Sequence, residues 1–313
     1  MKQFLSVNDV PYVQELVELA IACKRSPQEK IGNGLTMGLI FFNPSLRTRM
    51  STQKAAQNLG MEVIVLNISD DGWQIEIDEG TVMDGGAQEH IKDAARVMGG
   101  YCDILGVRTF AGLKDRESDY DERILNAFVK YAGIPIVSLE SATLHPLQSL
   151  TDLMTIKETG IIKPKVVVTW ANHPRTLPQA VTNSFLQWIK TTDAEVILTH
   201  PEGYELMEEF TNGIEINHNQ NDALEGADFV YTKNWSSYNS YGQTPKVSEN
   251  WMITEDKMAR TNDGRFMHCL PIRRNVIATD AVIDKSIVYR QAENRVWSAQ
   301  AVLASIINKM KDA

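Results

Sequence analysis

Short apolar runs alternate with longer amphipathic segments along most of this chain. The runs have the length and the β-branched composition of buried strands, and the segments between them have helical periodicity. This alternation predicts an α/β fold in which parallel sheets are flanked by helices. The predicted strands are residues 37–42, 63–66, 103–107, 134–139, 165–170, 195–199, 228–232 and 266–268. The predicted helices are residues 48–59, 89–98, 121–132, 147–158, 177–190 and 219–224.

Eight strands are compatible either with one closed barrel or with two open sheets of about four strands each. The pair His145-Pro146 interrupts the pattern, because the residue before proline is disfavoured in helical conformation. This break favours two domains, with residues 147–158 linking one sheet to the other. The last segment, residues 292–311, is apolar on one face, and a helix there is able to return to the first domain.

Composition excludes several classes of protein. A length of 313 residues is sufficient for two cores, and the net charge of −9 argues against a general nucleic-acid binder. Cys23, Cys102 and Cys269 are widely spaced and predict no disulfide framework, which is typical of a reducing compartment. No apolar stretch approaches about 18 residues, and the N-terminus has no apolar leader. We therefore expect a cytoplasmic protein without a membrane or nucleic-acid partner.

The segment from Ser45 to Arg49, Ser-Leu-Arg-Thr-Arg, joins a predicted buried strand to a predicted helix. A helix start presents free backbone N–H groups and the positive end of the helix dipole. Ser45 and Thr48 add hydroxyl groups, and Arg47 adds a guanidinium. These groups together suit a phosphate-bearing ligand. Taken alone, the segment fits a capped helix with surface arginines equally well.

Residues 69–86 depart from the alternation. The region is acidic, rich in glycine and centred on Trp73, and loops of this length in compact domains are usually functional or disordered. A tryptophan in such a loop is a candidate anchor for a ligand or a neighbouring subunit. The alternative is a Trp73 side chain that packs on its own domain.

Polar residues cluster where the predicted strands end, which is where open parallel sheets bind ligands. Each of them singly fits a structural role, but together they predict one cation-rich site. They are Arg108, Glu140, His145, Gln148, His173, Lys233 and Cys269.

The chain has no zinc-type Cys/His spacing, no glycosidase-type carboxylate pair, no dinucleotide fingerprint after a strand and no P-loop. We therefore expect neither a metal nor a cofactor. A cation-rich pocket with neutral donors suits attack on an acyl phosphate, because negative charge then develops on a carbonyl oxygen and on a leaving phosphate.

Three motifs in order resemble those of the aspartate/ornithine carbamoyltransferases. Residues 45–49 resemble their S-x-R-T-R carbamoyl-phosphate motif, residues 145–148 (His-Pro-Leu-Gln) resemble H-P-x-Q, and residues 268–271 (His-Cys-Leu-Pro) resemble H-C-L-P. The D-x-x-x-S-M-G segment that grips free ornithine is replaced by Tyr-Thr-Lys-Asn-Trp-Ser-Ser-Tyr at residues 231–238. The chain is instead similar to the branch that carbamoylates N-acetylornithine or N-succinylornithine.

The resemblance implies a carbamoyl-phosphate domain at residues 1–144, an acylornithine domain at 145–290 and a C-terminal helix, 291–313, that packs on the first domain. It implies a homotrimer in which the long loop reaches a neighbour's site. Carried over residue by residue, Thr48, Arg108 and His145 are catalytic. The carbamoyl-phosphate set is Ser45, Leu46, Arg47, Thr48, Trp73 (from the adjacent chain), Arg108, His145, Gln148 and Arg295. The acylornithine set is Gln88, Glu140, His173, Lys233, Cys269, Leu270 and Arg273.

The residue before Glu89-His90 is similar to the position that distinguishes acyl groups in this branch, with glutamate in acetyl enzymes and proline in succinyl enzymes. Here it is Gln88, whose amide is able to donate to a succinyl carboxylate, whereas a glutamate repels it. We therefore expect N-succinylornithine as the substrate, with N-acetylornithine as the alternative. Two interpretations of a different class remain. One is a catalytically silent paralogue that only binds ligands. The other is a two-domain solute-binding protein, which would need an export signal.

Overall fold

The computed structural model describes residues 1–26, 29–68 and 72–312. Its strands are β1 (Thr36–Phe41), β2 (Glu62–Asn67), β3 (Ile75–Glu76), β4 (Glu89–His90), β5 (Ile104–Arg108), β6 (Ile136–Glu140), β7 (Lys165–Trp170), β8 (Glu195–Thr199), β9 (Glu215–Asn217), β10 (Phe229–Lys233) and β11 (Arg265–Met267). Its α-helices are α1 (Val13–Arg25), α2 (Leu46–Asn58), α3 (Ile91–Tyr101), α4 (Arg116–Tyr120), α5 (Arg123–Tyr131), α6 (Pro146–Lys157), α7 (Ala180–Ile189), α8 (Glu208–Thr211), α9 (Gln220–Leu224), α10 (Glu255–Met258), α11 (Asp280–Asp284) and α12 (Val288–Lys311).

The strands form two open parallel sheets rather than a barrel. The first sheet has the order β2-β1-β5-β6, and the second has the order β11-β10-β7-β8-β9. Strands β3 and β4 form a separate two-stranded pair. The predicted two-domain α/β fold with helix-flanked parallel sheets is confirmed, and each of the eight predicted strands is present.

Two helices join the halves of the molecule. Every residue of α6 from Pro146 to Ile156 is buried, and α6 packs against α1, α7 and α12. Helix α12 also packs on α2, which follows the first strand of the first sheet. A helix that is buried on all sides lies inside a core rather than at the surface. These helices therefore fix how side chains from the two sheets face each other.

Two predicted helices were wrong in detail. The helix predicted at 121–132 begins only at Arg123, as α5, and the separate short helix α4 precedes it, because Glu122 between them adopts a left-handed φ of 50°. The Glu122 carboxylate accepts hydrogen bonds from the backbone N–H groups of Ala142 (3.1 Å) and Thr143 (2.8 Å), which holds the break in place. The helix predicted from residue 89 begins at Ile91, because Glu89 and His90 pair with β3. The elements that were not predicted are helices α1, α4, α8, α10 and α11 and strands β3, β4 and β9.

Among the described residues, no helix has the length and the apolar character needed to cross a bilayer. Residues 69–71, the start of the predicted long loop, lie outside the described residues.

Candidate active site

A cavity of about 570 Å³ opens at the carboxyl ends of β1, β5, β6, β7 and β10, between the two sheets. It brings together fourteen of the sixteen predicted site residues, and only Trp73 and Gln88 are missing from its lining. The predicted residues that line it are Ser45, Leu46, Arg47, Thr48, Arg108, Glu140, His145, Gln148, His173, Lys233, Cys269, Leu270, Arg273 and Arg295.

The phosphate-type segment forms the start of α2. Ser45 has extended backbone angles and caps the helix, since its Oγ accepts a hydrogen bond from the Thr48 N–H at 3.4 Å. The free N–H groups of the first turn and the helix dipole thus lie at the cavity wall. Arg47 lines the same wall, and burial lowers the pKa of its guanidinium from the ordinary value. Ser45, Arg47 and Thr48 therefore lie together at one wall of the cavity, and their role in binding an anion stays a prediction.

A buried ion pair lies beside this helix start. Arg108 Nη1 contacts Glu140 Oε2, and both side chains are 8% exposed. The pairing of β5 with β6 shifts register between Val107 and Arg108, which places Arg108 opposite Glu140. Such irregularities commonly re-aim a side chain next to an active site. The ion pair therefore owes its position to the end of the first sheet.

His145 is the N-cap of α6 and is 3% exposed. Burial, followed by the charges of Arg295, Arg108 and Lys233, lowers the pKa of His145 well below its usual value. Its Nε2 lies 3.5 Å from Glu140 Oε2, and its buried Nδ1 has no hydrogen-bond partner within the described part of the chain. His145 is thus a neutral imidazole near three cations, which suits it to a polar contact with an uncharged carbonyl or amide.

Arg295 reaches the cavity from α12. Its Nη1 donates to Gln148 Oε1, and its Nη2 donates to Thr48 Oγ1 at 2.7 Å. Burial lowers the pKa of Arg295 to about 10, so the group stays charged at neutral pH. One guanidinium therefore ties the interdomain helix α6 to the phosphate-type helix α2.

The opposite wall is more open. In the tautomer that carries the proton on Nδ1, His173 donates to the Arg175 carbonyl oxygen at 2.7 Å and accepts from Arg273 Nε at 3.1 Å. Leu270 has a left-handed φ of 56°, and its N–H donates to His268 Nδ1 at 2.8 Å. Cys269 is buried, which raises the pKa of its thiol. This wall provides cations, imidazole and backbone groups to a second ligand.

Trp73 and Gln88 lie outside the chain's own cavity. Trp73 is 56% exposed, and its Nε1 donates to Glu89 Oε2 at 2.9 Å. Gln88 is exposed, and its N–H donates to the Gln74 carbonyl oxygen at 3.1 Å. Their assignment to a neighbouring subunit's site stays a prediction.

Sequence reasoning missed six lining residues: Pro44, Phe110, Arg175, Leu177, Val181 and Pro271. Arg175 had a signal, because it follows the carboxyl end of β7 by five positions. With it, the lining carries six cationic side chains against the single carboxylate of Glu140. In the described ranges 1–26, 29–68 and 72–312, no group of three or more His, Cys, Asp or Glu side chains is placed to hold a metal ion. The excess of cationic side chains therefore suits the cavity to anionic ligands.

The chain matches two family models. The model described as aspartate/ornithine carbamoyltransferase, carbamoyl-P binding domain, matches residues 2–158, and the Asp/Orn binding domain of the same family matches residues 178–306. The N-succinylornithine carbamoyltransferase of Bacteroides fragilis is 49% identical to this chain over 317 residues. That of Bacteroides thetaiotaomicron is 48% identical over 318 residues. Both alignments cover 99% of this chain and the full length of the relative. The N-acetylornithine carbamoyltransferase of Xanthomonas campestris is 35% identical over 338 residues, 99% of each chain.

Solved structures of related enzymes superimpose on almost the whole chain. An N-acetylornithine transcarbamylase complexed with acetylcitrulline superimposes with a TM-score of 0.91 at 35% identity, over 98% of this chain and 99% of the other. A variant of N-acetyl-L-ornithine transcarbamylase in which one glutamate is replaced by proline, complexed with carbamyl phosphate and N-succinyl-L-norvaline, also gives 0.91 at 35% identity, over 98% of this chain and 100% of the other.

Proposed function

Because the chain belongs to the aspartate/ornithine carbamoyltransferase family, we propose that it carbamoylates the side-chain amine of N-succinyl-L-ornithine. Carbamoyl phosphate is the donor, and the products are N-succinyl-L-citrulline and phosphate, in arginine biosynthesis. One observation carries the choice of substrate: full-length identity is 48–49% with N-succinylornithine enzymes and 35% with an N-acetylornithine enzyme.

The neutral amine attacks the carbonyl carbon of carbamoyl phosphate, forming a C–N bond and a tetrahedral oxyanion. Thr48, Arg108 and His145 hold this oxygen, and donors already in place stabilise the charge without reorganisation. The C–O bond to phosphate then breaks, and the leaving phosphate takes the proton that the amine loses. Ser45, Leu46, Arg47 and Thr48 hold the phosphate, and Gln148 and Arg295 hold the carbamoyl end.

The wall formed by Glu140, His173, Lys233, Cys269, Leu270 and Arg273 receives the acylornithine. The charge of the cavity lining supports a succinyl rather than an acetyl group, because six cations face one carboxylate there. N-succinylornithine brings two carboxylates and N-acetylornithine brings one. The more anionic substrate therefore balances the site better.

N-acetylornithine is the second candidate, because the superimposed structures include an N-acetylornithine enzyme with acetylcitrulline at a TM-score of 0.91. A panel of ornithine, N-acetylornithine and N-succinylornithine with carbamoyl phosphate separates the candidates. We expect the highest kcat/KM with N-succinylornithine and no turnover of free ornithine. A higher kcat/KM with N-acetylornithine would replace the proposed substrate, and no turnover with any of them would favour a silent paralogue.

The homotrimer with shared sites is also part of the proposal. Exposed apolar side chains of α2, β2 and the loop support it, namely Leu46 (69% exposed), Met50 (64%), Ile64 (50%) and Trp73 (56%). In this arrangement Trp73 and Gln88 serve the adjacent subunit. Mixed trimers of inactive Trp73→Ala and inactive Arg108→Ala chains should recover partial activity. Verified subunit exchange without recovery would place Trp73 in its own chain's function.

The domain boundaries proposed are residues 1–144 for carbamoyl phosphate and 145–290 for acylornithine, with 291–313 returning to the first domain. The packing of α12 on α2 supports the return. A cytoplasmic location is supported by the free thiols of Cys23, Cys102 and Cys269.

A further inference from the structure

Asp152 is a fully buried carboxylate behind the cavity, and it is not part of the cavity lining. It lies on α6 one turn after Gln148. Its Oδ1 accepts from Gln148 Nε2 at 2.7 Å and from Gln291 Nε2 at 2.6 Å, and its Oδ2 accepts from the Tyr231 hydroxyl at 2.9 Å. Tyr231 is on β10 of the second sheet, and Gln291 is on α12. A single carboxylate thus receives donors from three elements that surround the site.

The first branch of this network leads to the carbamoyl half of the site. An amide nitrogen only donates and an amide oxygen only accepts, so the Asp152 contact fixes which end of Gln148 faces the cavity. The outward Gln148 Oε1 accepts from Arg295, which in turn donates to Thr48 Oγ1 at 2.7 Å. If the Gln148 amide turned over, its NH₂ would face the guanidinium, and two donors would oppose each other.

The second branch leads to the acylornithine half. Gln291 Oε1 accepts from the His268 backbone N–H at 3.0 Å. The next two residues, Cys269 and Leu270, line the cavity. The fixed main-chain N–H of His268 orients the Gln291 amide independently, so this branch depends less on Asp152 than the first one does.

A purely structural role accounts poorly for an acid at this place. Burial raises the pKa of Asp152 to about 7, although the three hydrogen bonds oppose the shift. Buried charged groups are often replaceable by neutral residues without loss of stability. Second-layer contacts, by contrast, hold the residues that touch a ligand in their working orientation.

We propose that Asp152 is a positioning residue, whose carboxylate orients Gln148 and, through it, the Arg295 guanidinium toward Thr48 and the bound carbamoyl phosphate. This role rests on the proposed function. A misplacement of about 1 Å in a reacting geometry can cost about a hundredfold in rate. Asp152→Ala should therefore lower kcat at least about tenfold and raise the KM for carbamoyl phosphate, while the KM for N-succinylornithine changes less than about threefold.

Asp152→Asn is the conservative rescue, because its carboxamide oxygen still accepts from Gln148 and its NH₂ is able to donate to Tyr231. It should restore most of kcat. Thr155→Val is the matched control: Thr155 is equally buried on α6, and its Oγ1 accepts from Asn294 Nδ2 of α12 at 2.9 Å without reaching the cavity. This variant should lower the melting temperature yet keep both kinetic constants.

A double-mutant cycle shows whether Asp152 acts through Gln148. Combining Asp152→Ala with Gln148→Ala should cost no more than Gln148→Ala alone, whereas fully additive losses would overturn the role. Asp152→Ser replaces the alanine variant if that variant does not fold. The serine hydroxyl is too short to reach the Gln148 amide, so Asp152→Ser should show the same loss of kcat.

Kinetic constants measured for the wild type and for Asp152→Ala test the proposed function and the role of Asp152 separately. If wild type is active and folded Asp152→Ala keeps its kcat/KM, the role of Asp152 is wrong while the function stands. If wild type transfers no carbamoyl group, the proposed function has failed, and this role with it.

Discussion

The two walls of the cavity differ in how firmly their polar groups are held. On the wall proposed to bind the carbamoyl group, Thr48, Arg108, His145, Gln148 and Arg295 each expose at most 7% of the whole residue. They are joined to one another or to Glu140 by direct polar contacts. On the acylornithine side, Lys233 and His173 are only partly buried, and Arg175 and Arg273 are exposed.

This difference suits the buried wall to the chemical step and the open wall to the recognition of the ligand. Donors that are fixed before the substrate arrives stabilise developing charge without reorganising, and burial strengthens them by excluding water. Exposed cations are screened, and they discriminate between ligands mainly through complementary charge. The buried wall is thus suited to the step that all members of the family share, and the open wall is where substrates are able to differ.

The largest expected effect is on the buried wall. Arg108→Gln should lower kcat about 10²–10³-fold, because a donor to the developing oxyanion is lost. The variant also leaves Glu140 without its cation, so its folding should be checked by the melting transition. Arg108→Lys keeps the charge and should recover part of the rate. A folded Arg108→Gln enzyme with wild-type kcat would remove Arg108 from the chemistry.

A smaller effect, confined to KM, is expected on the open wall. Arg273→Ala should raise the KM for N-succinylornithine about tenfold, as expected for a lost charge-assisted contact near solvent, and change kcat less than about threefold. Arg274→Ala is the control, since Arg274 pairs with Asp280 (2.9 Å) and Asp284 (2.8 Å) instead of lining the cavity. Equal kinetic effects of the two variants would show that Arg273 makes no specific contact.

Specificity is expected to shift with Gln88. Gln88→Glu should lower the ratio of kcat/KM for N-succinylornithine to that for N-acetylornithine by about tenfold, because close like charges repel. Gln88→Asn is the neutral comparison. An unchanged ratio in the glutamate variant would show that Gln88 does not select the acyl group.

The smallest effect concerns stability at low pH. Burial lowers the pKa of His268 well below its usual value, so the folded protein holds it neutral. As pH falls below about 6.5, the unfolded chain binds a proton that the folded chain does not, and unfolding becomes easier by up to about 1.4 kcal/mol per pH unit. His268→Asn should therefore flatten the decline in unfolding free energy between pH 6.5 and 5. An identical slope in both proteins, measured by denaturant titration, would contradict this.

Local sequence was sufficient for the strands and for the residues at their carboxyl ends. Thr169 and Trp170 belong to a run whose length and β-branched composition predicted β7, and the rule for parallel sheets then placed His173 and Lys233 at one edge. The division of α4 from α5 was not predictable, because it depends on the Glu122 carboxylate bonding to residues about 20 positions away. The roles of Trp73 and Gln88 also lie beyond one chain's pattern.

By itself the sequence determined the alternation, the strand ends and a helix start within residues 45–49, because these depend on the periodicity and chemistry of neighbouring residues. Only the tertiary structure decided that Arg108 meets Glu140, that Arg295 lies between Gln148 and Thr48, and that Asp152 lies behind them. Those contacts join residues from 32 to 247 positions apart in the chain. No local pattern encodes them, because the Arg108–Glu140 pair requires β5 to lie beside β6, and the Arg295 contacts exist only once α6 and α12 have packed between the two sheets.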